Sequence, residues 1–233
     1  MKAMILAAGR GERLRPLTDS IPKPLVPVHG KPLIEYHIEK LAAIGIKDIV
    51  INHAWLGDKI VDHLGDGSRW GVDLHFSQER TALETAGGIK QALPLLGDAP
   101  FFVINGDIYV DQLPIDAELV QQGASALLAG NQAHLWLVEN PQHNLAGDFA
   151  LQGSQVLLSG QQQYTFSGMA IYLPSLFDDL VEKAAPLGPL LKQKIAQQAV
   201  VGNVYQGYWC DVGTLARLEE VERRLAAKLG NKV

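Results

Sequence analysis

Two patterns of apolar and polar positions alternate along the first half of the chain. Short apolar or alternating runs predict strands at residues 2–7, 48–52, 72–77 and 101–105. Between them, apolar positions at helical spacing predict helices at residues 32–44, 55–64 and 85–93, with Gly45 and Pro94 marking two helix ends. Such an alternation predicts a mostly parallel sheet with helices on both faces.

The second half of the chain has shorter strand candidates, separated by asparagine, glycine and glutamine. They lie at residues 134–139, 148–151, 155–158 and 164–173, and a further strand is predicted at 200–210. Helical spacing covers residues 174–183, 187–198 and 214–229. We expect these strands to be antiparallel additions to the first sheet. Because no linker or internal repeat intervenes, the sequence predicts a single α/β domain over residues 1–230.

Composition and charge restrict the class of protein. Hydrophobic residues make up 47% of the chain, which allows a sizeable core. The net charge is −5 and no long run of like charges occurs, so neither nucleic acid nor a membrane surface is expected as a partner. Cys210 is the single cysteine, which favours a reduced, cytoplasmic setting. No apolar segment is long enough to predict a membrane span.

A glycine loop follows the first predicted strand. Gly9 and Gly11 let backbone N–H groups approach an anion closely, although a plain tight turn explains the pair equally well. Leu14 stands where a dinucleotide-binding loop requires glycine, and the loop lacks the Gly-Lys-Ser/Thr end of a P-loop. Arginines at positions 10, 13 and 15 favour a triphosphate. A cation about 4 Å from a phosphate charge is worth on the order of 4 kcal/mol at an effective dielectric of about 20.

Three further polar residues are candidates for the same site. Lys23 lies between two prolines that would hold it extended towards a phosphate, although by itself the segment is more simply an exposed lysine in a proline loop. Asp107 follows a buried strand, where ligands gather in parallel sheets, and its carboxylate suits magnesium, although it could equally cap a turn. Asp211 is either a second ligand of that metal or a polar residue at a helix entry.

These four segments, in this order, resemble the sugar-1-phosphate nucleotidylyltransferase family. Its Gly-x-Gly-x-Arg-Leu loop, Pro-Lys-Pro-Leu segment, Asn-Gly-Asp strand end and Trp-x-Asp-x-Gly-Thr element match residues 9–14, 22–25, 105–107 and 209–214. The resemblance covers nearly the whole chain. It implies a three-layer α/β/α sandwich of the nucleotide-diphospho-sugar transferase type, with a mixed, mostly parallel central sheet.

The resemblance also implies roles for individual residues. Arg13 and Lys23 would be catalytic, with Arg13 stabilising the pyrophosphate leaving group and Lys23 contacting the α-phosphate or the sugar phosphate. Asp107 and Asp211 would hold Mg²⁺, the expected cofactor. The nucleotide-binding residues would be Ala8, Gly9, Gly11, Glu12, Arg13, Lys23, Gln78, Thr85 and Gly87.

Within the family, the chain is most similar to the short bacterial N-acetylmuramate 1-phosphate uridylyltransferases. The likeness lies in residues 140–144, 147–151 and 165–168, whereas the Glu-Lys-Pro sugar contact of longer relatives is missing before Tyr164. It implies transfer of UMP from UTP to a sugar 1-phosphate, giving a UDP-sugar and pyrophosphate in cell-wall sugar recycling, by a monomer or small homo-oligomer. The sugar-binding residues would be Asn105, Asn140, Gly147 and Ser167.

Three other functions were weighed against this one. A mannose- or glucose-1-phosphate nucleotidylyltransferase using GTP or UTP shares the N-terminal motifs. A non-catalytic sugar-nucleotide-binding module is disfavoured, because it has no reason to combine Lys23 with Asp107 and Asp211. A Rossmann-type oxidoreductase is disfavoured by Leu14. Trp55 is expected to pack in the core or on the surface and not to stack on a ligand.

Overall fold

A mixed β-sheet forms the centre of the molecule and takes strands from both halves of the chain. The computed structural model describes residues 1–181 and 184–230. The strands within these residues are β1 (Ala3–Leu6), β2 (Pro27–Val28), β3 (Lys31–Pro32), β4 (Asp48–His53), β5 (Asp73–Gln78), β6 (Phe101–Asn105), β7 (Ile108–Val110), β8 (Ala133–Val138), β9 (Phe149–Gln152), β10 (Gln155–Leu157), β11 (Gln163–Tyr172), β12 (Val200–Val204) and β13 (Trp209–Asp211). Their bounds agree with most of the predicted strands to within two residues.

The sheet has a parallel part and a mixed part. In the described residues its strand order is β5-β4-β1-β6-β11-β8-β12-β10-β9. The strands β5, β4, β1 and β6 are mutually parallel, as the first half of the sequence predicts. Strand β11 is antiparallel to both β6 and β8, whereas β12 pairs with β8 in parallel. The expected antiparallel additions to the sheet are therefore present, together with one parallel pair.

Helices cover the sheet on both sides. Those within the described residues are α1 (Leu33–Ala43), α2 (Gly57–Leu64), α3 (Glu84–Leu96), α4 (Ala117–Gln122), α5 (Ser125–Leu128), α6 (Leu187–Ala196) and α7 (Leu215–Gly230). Successive residues of β1 point to opposite faces, so Ile5 packs in one apolar core with α1 and α2, and Met4 packs in another with α3 and α6. Short 3₁₀ turns lie at Glu12–Leu14, Leu17–Asp19, Lys23–Leu25, Ser68–Trp70 and Pro174–Phe177.

Three predicted element boundaries were wrong. Helix α3 continues through Pro94 to Leu96, because the missing N–H costs only one bond in the last turn, and Gly97, whose φ is 83°, follows its last residue. The helix predicted at 174–183 is a 3₁₀ turn, since Asp178 and Asp179 interrupt its apolar stripe; residues 182–183 lie outside the described residues. The strand predicted at 200–210 divides into β12 and β13, which belong to different sheets.

The same structure bears on membrane association. Among the residues that it describes, no helix combines the length and the apolar character needed to cross a membrane.

Candidate active site

The carboxyl ends of four parallel strands open into a cavity of about 600 Å³. This is the edge at which α/β sheets generally bind ligands. The lining residues come from the segments that follow β1, β4, β5 and β6, together with the loop containing Lys23. They are Leu6, Ala7, Ala8, Gly9, Arg10, Lys23, Pro24, Asn52, Ala54, Trp55, Glu79, Arg80, Thr81, Ala82, Leu83, Glu84, Thr85, Asn105, Gly106 and Asp107.

The two glycines of the loop after β1 meet different steric demands. A Cβ atom added at Gly9 would have no neighbour within 4 Å, and Gly9 and Ala8 both line the cavity. Gly11 has φ 68°, and a Cβ there would lie 2.9 Å from Cβ of Lys23. The Thr18 hydroxyl donates to the Gly11 carbonyl at 2.8 Å, which closes the loop. Gly9 therefore leaves space for a ligand, whereas Gly11 allows the loop to pack on Lys23.

Lys23 is buried at the floor of this cavity. Its side chain is only 9% exposed, and its Nζ lies 2.6 Å from Oδ2 of Asp107. The backbone here is a 3₁₀ turn starting at Lys23, not the extended conformation that the flanking prolines suggested. The exposed-lysine interpretation is thus wrong. A buried ammonium group paired with one carboxylate is available to exchange that partner for a phosphate oxygen.

Pairing of β7 with β13 brings Asp211 beside Asp107. Ile108 is in register with Asp211, and the N–H of Val212 donates to the Asp107 carbonyl at 2.7 Å. Burial raises the pKa of Asp211 above the ordinary carboxyl value, and the nearby Asp107 carboxylate raises it further. The charges of Arg217 and His143 oppose this rise in pKa. Two residues far apart in sequence are therefore close enough for their charges to interact.

The two carboxylates fit a hard divalent cation. Oδ1 of Asp211 is buried without a hydrogen bond of acceptable geometry, although Nη1 of Arg217 lies 3.0 Å and Nε2 of His143 3.3 Å away. Across the described ranges, no group of three or more His, Cys, Asp or Glu side chains could hold a metal by itself. Magnesium commonly uses one or two carboxylates and takes its other ligands from water and substrate phosphates. The donor set suits that ion.

Arg13 and Glu12 lie outside the cavity wall. Both are exposed residues of the turn after Gly11. A Cβ atom at Gly213 would lie 3.0 Å from Nη2 of Arg13, so the guanidinium group rests against the segment that follows Asp211. The charge of Arg13 lowers the pKa of Asp211, which places it on the Asp211 side of the site.

In the part of the cavity wall that follows β5, Glu79 is present and the predicted Gln78 is not. The side chain of Gln78 is exposed and is not part of the wall, whereas Glu79 is buried within it. Oε1 of Glu79 accepts from Asn52 Nδ2 at 2.7 Å and Oε2 from the Leu83 N–H at 3.3 Å. Burial raises the pKa of Glu79, and these two hydrogen bonds oppose the rise. Glu79 thus fixes the segment at 80–84 to β4.

The Glu79 network also reaches the glycine loop. Asn52 accepts from the Ala7 N–H at 2.9 Å, so Ala7, Asn52, Glu79 and Leu83 form one chain of hydrogen bonds. Our sequence analysis missed Glu79 and Asn52. The signal that would have found them is the one used for Asp107, a polar side chain at the carboxyl end of a buried parallel strand.

Thr85 and Gly87 differ in their access to the cavity. Thr85 lines it. Gly87 is buried, and its N–H donates to the Ala185 carbonyl at 3.1 Å. That amide is therefore already bonded within the protein.

Of the four residues expected at the sugar, Asn105 alone lines this cavity in the described structure. Asn140 donates to the Gln163 carbonyl at 3.0 Å, and Gly147, with φ 67°, packs against it. The Ser167 hydroxyl donates to the Trp136 carbonyl at 2.6 Å and accepts from the Met169 N–H at 3.1 Å. The polar atoms of Asn140 and Ser167 thus make hydrogen bonds within the protein, near the bulge in β11.

A second cavity, of about 530 Å³, opens beside Asp211. Its wall includes Glu139, His143, Trp209, Asp211 and Arg217. Nη1 of Arg217 lies 2.8 Å from Nδ1 of His143, so the two side chains form one unit next to the Asp211 carboxylate. Arg217 was not among the predicted site residues, although it lies in the first turn of α7, directly after the Gly-Thr element.

A family model described as nucleotidyl transferase matches residues 2–130. The N-acetylmuramate alpha-1-phosphate uridylyltransferase of Neisseria meningitidis serogroup B is 52% identical to this chain over 227 residues, which cover 95% of this chain and 97% of that protein. The protein of the same name from Caulobacter vibrioides is 33% identical over 236 residues, covering 96% of each.

Solved structures agree at the level of the fold. A Bacillus anthracis protein provisionally assigned as a glucose-1-phosphate thymidylyltransferase has a TM-score of 0.80 and covers 96% of this chain, with 94% of its own length covered. Sequence identity to that protein is 23%, so the likeness concerns the fold alone.

Proposed function

Since the chain belongs to the nucleotidyl transferase family, and within it to the sugar-1-phosphate nucleotidylyltransferases, we propose that it transfers UMP from UTP to N-acetylmuramate α-1-phosphate. The products are the UDP-sugar and pyrophosphate. The choice of nucleotide and sugar rests on the names of the two relatives that match along nearly their whole length. We further propose that the reaction serves cell-wall sugar recycling, the role that the resemblance of residues 140–168 implies.

One observation carries the catalytic part of this proposal. The Nζ atom of Lys23 lies 2.6 Å from Asp107 at the strand edge, and the pairing of β7 with β13 brings Asp211 to the same place. A buried cation and two neighbouring carboxylates at this edge of the sheet are the groups that phosphoryl chemistry needs for positioning and charge neutralisation.

We propose direct, in-line transfer. An oxygen of the sugar phosphate attacks the α-phosphorus of UTP, the bond from that phosphorus to the bridging oxygen breaks, and pyrophosphate leaves with the electron pair. The protein needs no nucleophile of its own, because the attacking group is already an anion. Its task is to bring two anions together and to stabilise the charge that develops.

The chain's own residues divide this task between them. Lys23 exchanges Asp107 for an oxygen of the α-phosphate or of the sugar phosphate. Arg13, on the Asp211 side of the site, stabilises the departing pyrophosphate. The backbone around Ala8 and Gly9, which faces open space, holds the triphosphate.

Asp107 and Asp211 would hold Mg²⁺ in the working enzyme. When bound, that ion supplies positive charge against the phosphate oxygens. The buried Oδ1 of Asp211, which has no hydrogen-bond partner among the described residues, supports this assignment. Burial, and to a smaller degree the Asp107 carboxylate, raises the pKa of Asp211, and a bound cation would relieve both effects.

The base and the sugar bind on opposite sides of this centre in our proposal. The segment at 80–85, fixed by Glu79, receives the uracil, and the wall near Asn105 receives the sugar.

We also assign the three-layer α/β/α sandwich to residues 1–230 as one domain. The shared sheet and the helices on both its faces support that assignment.

A substrate panel tests the proposal. The purified protein is supplied with magnesium, one of UTP, GTP or dTTP, and the α-1-phosphate of N-acetylmuramate, N-acetylglucosamine, mannose or glucose, and pyrophosphate release is followed by a coupled assay. We expect the highest kcat/KM for UTP with N-acetylmuramate α-1-phosphate. A higher value for GTP with mannose 1-phosphate would replace this function with the guanylyltransferase alternative. Nucleotide binding without pyrophosphate release for every pair would point to a non-catalytic module.

A further inference from the structure

The three arginines of the glycine loop have different surroundings. Nε of Arg15 pairs with Asp19 at 3.2 Å on the exposed surface. Arg13 rests against Gly213, on the side of Asp211. Arg10 lines the larger cavity, and within residues 1–181 and 184–230 it has neither a hydrogen bond nor a carboxylate at ion-pair distance. Arg10 therefore brings an uncompensated positive charge to the wall of the cavity.

Arg10 is held in place by an aromatic ring. Its guanidinium carbon lies 4.5 Å from the centroid of the Trp55 ring. Trp55 is 37% exposed and lines the same cavity, so it is not a core residue, and its Nε1–H donates to the Thr18 carbonyl at 3.2 Å. Stacking uses the face of a guanidinium group and leaves its N–H edge available to hydrogen-bond acceptors.

The position of Arg10 and Trp55 indicates which part of a bound nucleotide Arg10 can contact. Trp55 follows β4 and Arg10 follows β1, and these strands are direct neighbours in the sheet. Arg10 is adjacent to Gly9, where open space faces the backbone, and it lines the same cavity as the segment at 80–85. A charged, planar donor at this point suits a phosphate, which accepts two parallel hydrogen bonds from arginine.

We propose that Arg10, stacked on Trp55, binds the β- or γ-phosphate of the nucleoside triphosphate and retains contact with pyrophosphate as it leaves. The inference rests on the proposed function for the identity of the substrate, and it adds a second cation, besides Arg13, at the pyrophosphate end of the nucleotide. Trp55 acts as a positioning residue. Because the ring already restricts the Arg10 side chain, less conformational entropy is lost when the phosphate binds.

Binding measurements on the variant Arg10→Met test this directly. Methionine keeps an unbranched, apolar side chain next to Trp55 and removes the charge. Affinities for UTP, inorganic pyrophosphate and uridine are measured by calorimetry in magnesium-containing buffer. We expect Arg10→Met to weaken the binding of UTP and of pyrophosphate about 10- to 100-fold, as for one hydrogen bond to a charged group. Uridine, which lacks phosphate, should bind as it does to the wild type.

The chain supplies its own control, an arginine that, unlike Arg10, also pairs with a carboxylate, Glu35, at 2.9 Å. Arg69 lies 3.8 Å from the centroid of Trp70, a second arginine–tryptophan stack, but neither residue lines the cavity. Arg69→Met should leave all three affinities unchanged. Trp55→Leu should weaken pyrophosphate binding less than Arg10→Met, and the double variant should bind pyrophosphate no more weakly than Arg10→Met alone, since both changes remove the same contact.

Two results would overturn the inference. One is wild-type affinity for pyrophosphate in Arg10→Met; the other is an equal loss of uridine and pyrophosphate binding with a lowered Tm, which would show a structural role. The inference and the proposed function can fail separately. If the wild type releases no pyrophosphate with any sugar phosphate but binds pyrophosphate through Arg10, the proposed function falls and the phosphate contact stands.

Discussion

Gly9→Ala and Gly11→Ala each add one methyl group to the loop after β1. We expect Gly11→Ala mainly to lower stability and Gly9→Ala mainly to lower activity. In Gly11→Ala, the new Cβ lies 2.9 Å from Cβ of Lys23 and 3.0 Å from Cγ2 of Thr18, with φ at 68°. In Gly9→Ala, the new Cβ has no neighbour within 4 Å, and Gly9 has no positive φ. The same substitution, two positions apart, therefore meets a packed site in one case and the open cavity in the other.

The two free energies of unfolding should differ accordingly. For Gly11→Ala, a left-handed backbone costs about 1–2 kcal/mol and overpacking about 1–3 kcal/mol, while a less flexible unfolded chain returns about 0.4–1 kcal/mol. The net loss is about 1–5 kcal/mol, which in a chain of this size lowers Tm by roughly 2–20 °C. Gly9→Ala meets neither penalty and keeps the gain from a less flexible unfolded chain, so its Tm should equal that of the wild type or exceed it by up to about 4 °C.

Activity should respond in the opposite order. The methyl group at position 9 projects into space that a phosphate needs, and a displacement of about 1 Å at a reacting group can cost about 100-fold. We expect kcat/KM for UTP to fall about 100-fold in Gly9→Ala, measured by pyrophosphate release at a temperature where both variants remain folded, against a smaller fall in Gly11→Ala. Undiminished turnover in Gly9→Ala, or wild-type stability in Gly11→Ala, would contradict our account of the loop.

Three further predictions follow from the site. Asp107→Asn should lower turnover at least about 100-fold in the pyrophosphate assay at saturating magnesium, and near-normal rates would refute the metal role. Burial raises the pKa of Glu79 in the folded protein. The contribution of this side chain to stability is therefore present in full below the ordinary carboxyl pKa, and it is lost as the pH rises through the higher pKa of the folded state. The Tm of the wild type should therefore fall relative to that of Glu79→Gln as the pH rises above the ordinary carboxyl pKa, whereas a constant difference would argue against a carboxylate destabilised by burial. Ser167→Ala should lose about 1–3 kcal/mol of stability, because two backbone partners are left unpaired, with KM for the sugar phosphate within about twofold; a large change in KM at unchanged Tm would assign the hydroxyl to the sugar.

Much of the fold could be predicted because its elements are encoded locally. The run at residues 101–105 is apolar at every position before Asn105, and the structure has β6 over Phe101–Asn105. The errors fall where local rules give way to packing. Pro94 was taken as a helix end, but in the last turn it removes only one hydrogen bond. The strand predicted at 200–210 is divided because its second part pairs with β7, a strand that was not predicted from the sequence.

The sequence by itself determined the order of the strands and helices, the glycine loop and the polar residues that follow buried strands. Periodicity and backbone chemistry act over a few residues, so these features can be read without a structure. Tertiary structure alone decided which of them meet. It buried Lys23 on Asp107, carried Asp211 to the same edge through β13, and placed Glu79 and not Gln78 in the cavity wall. It also stacked Arg10 on Trp55. Such contacts depend on strand order and register, which bring together residues far apart in the chain and leave no local pattern by which to recognise them.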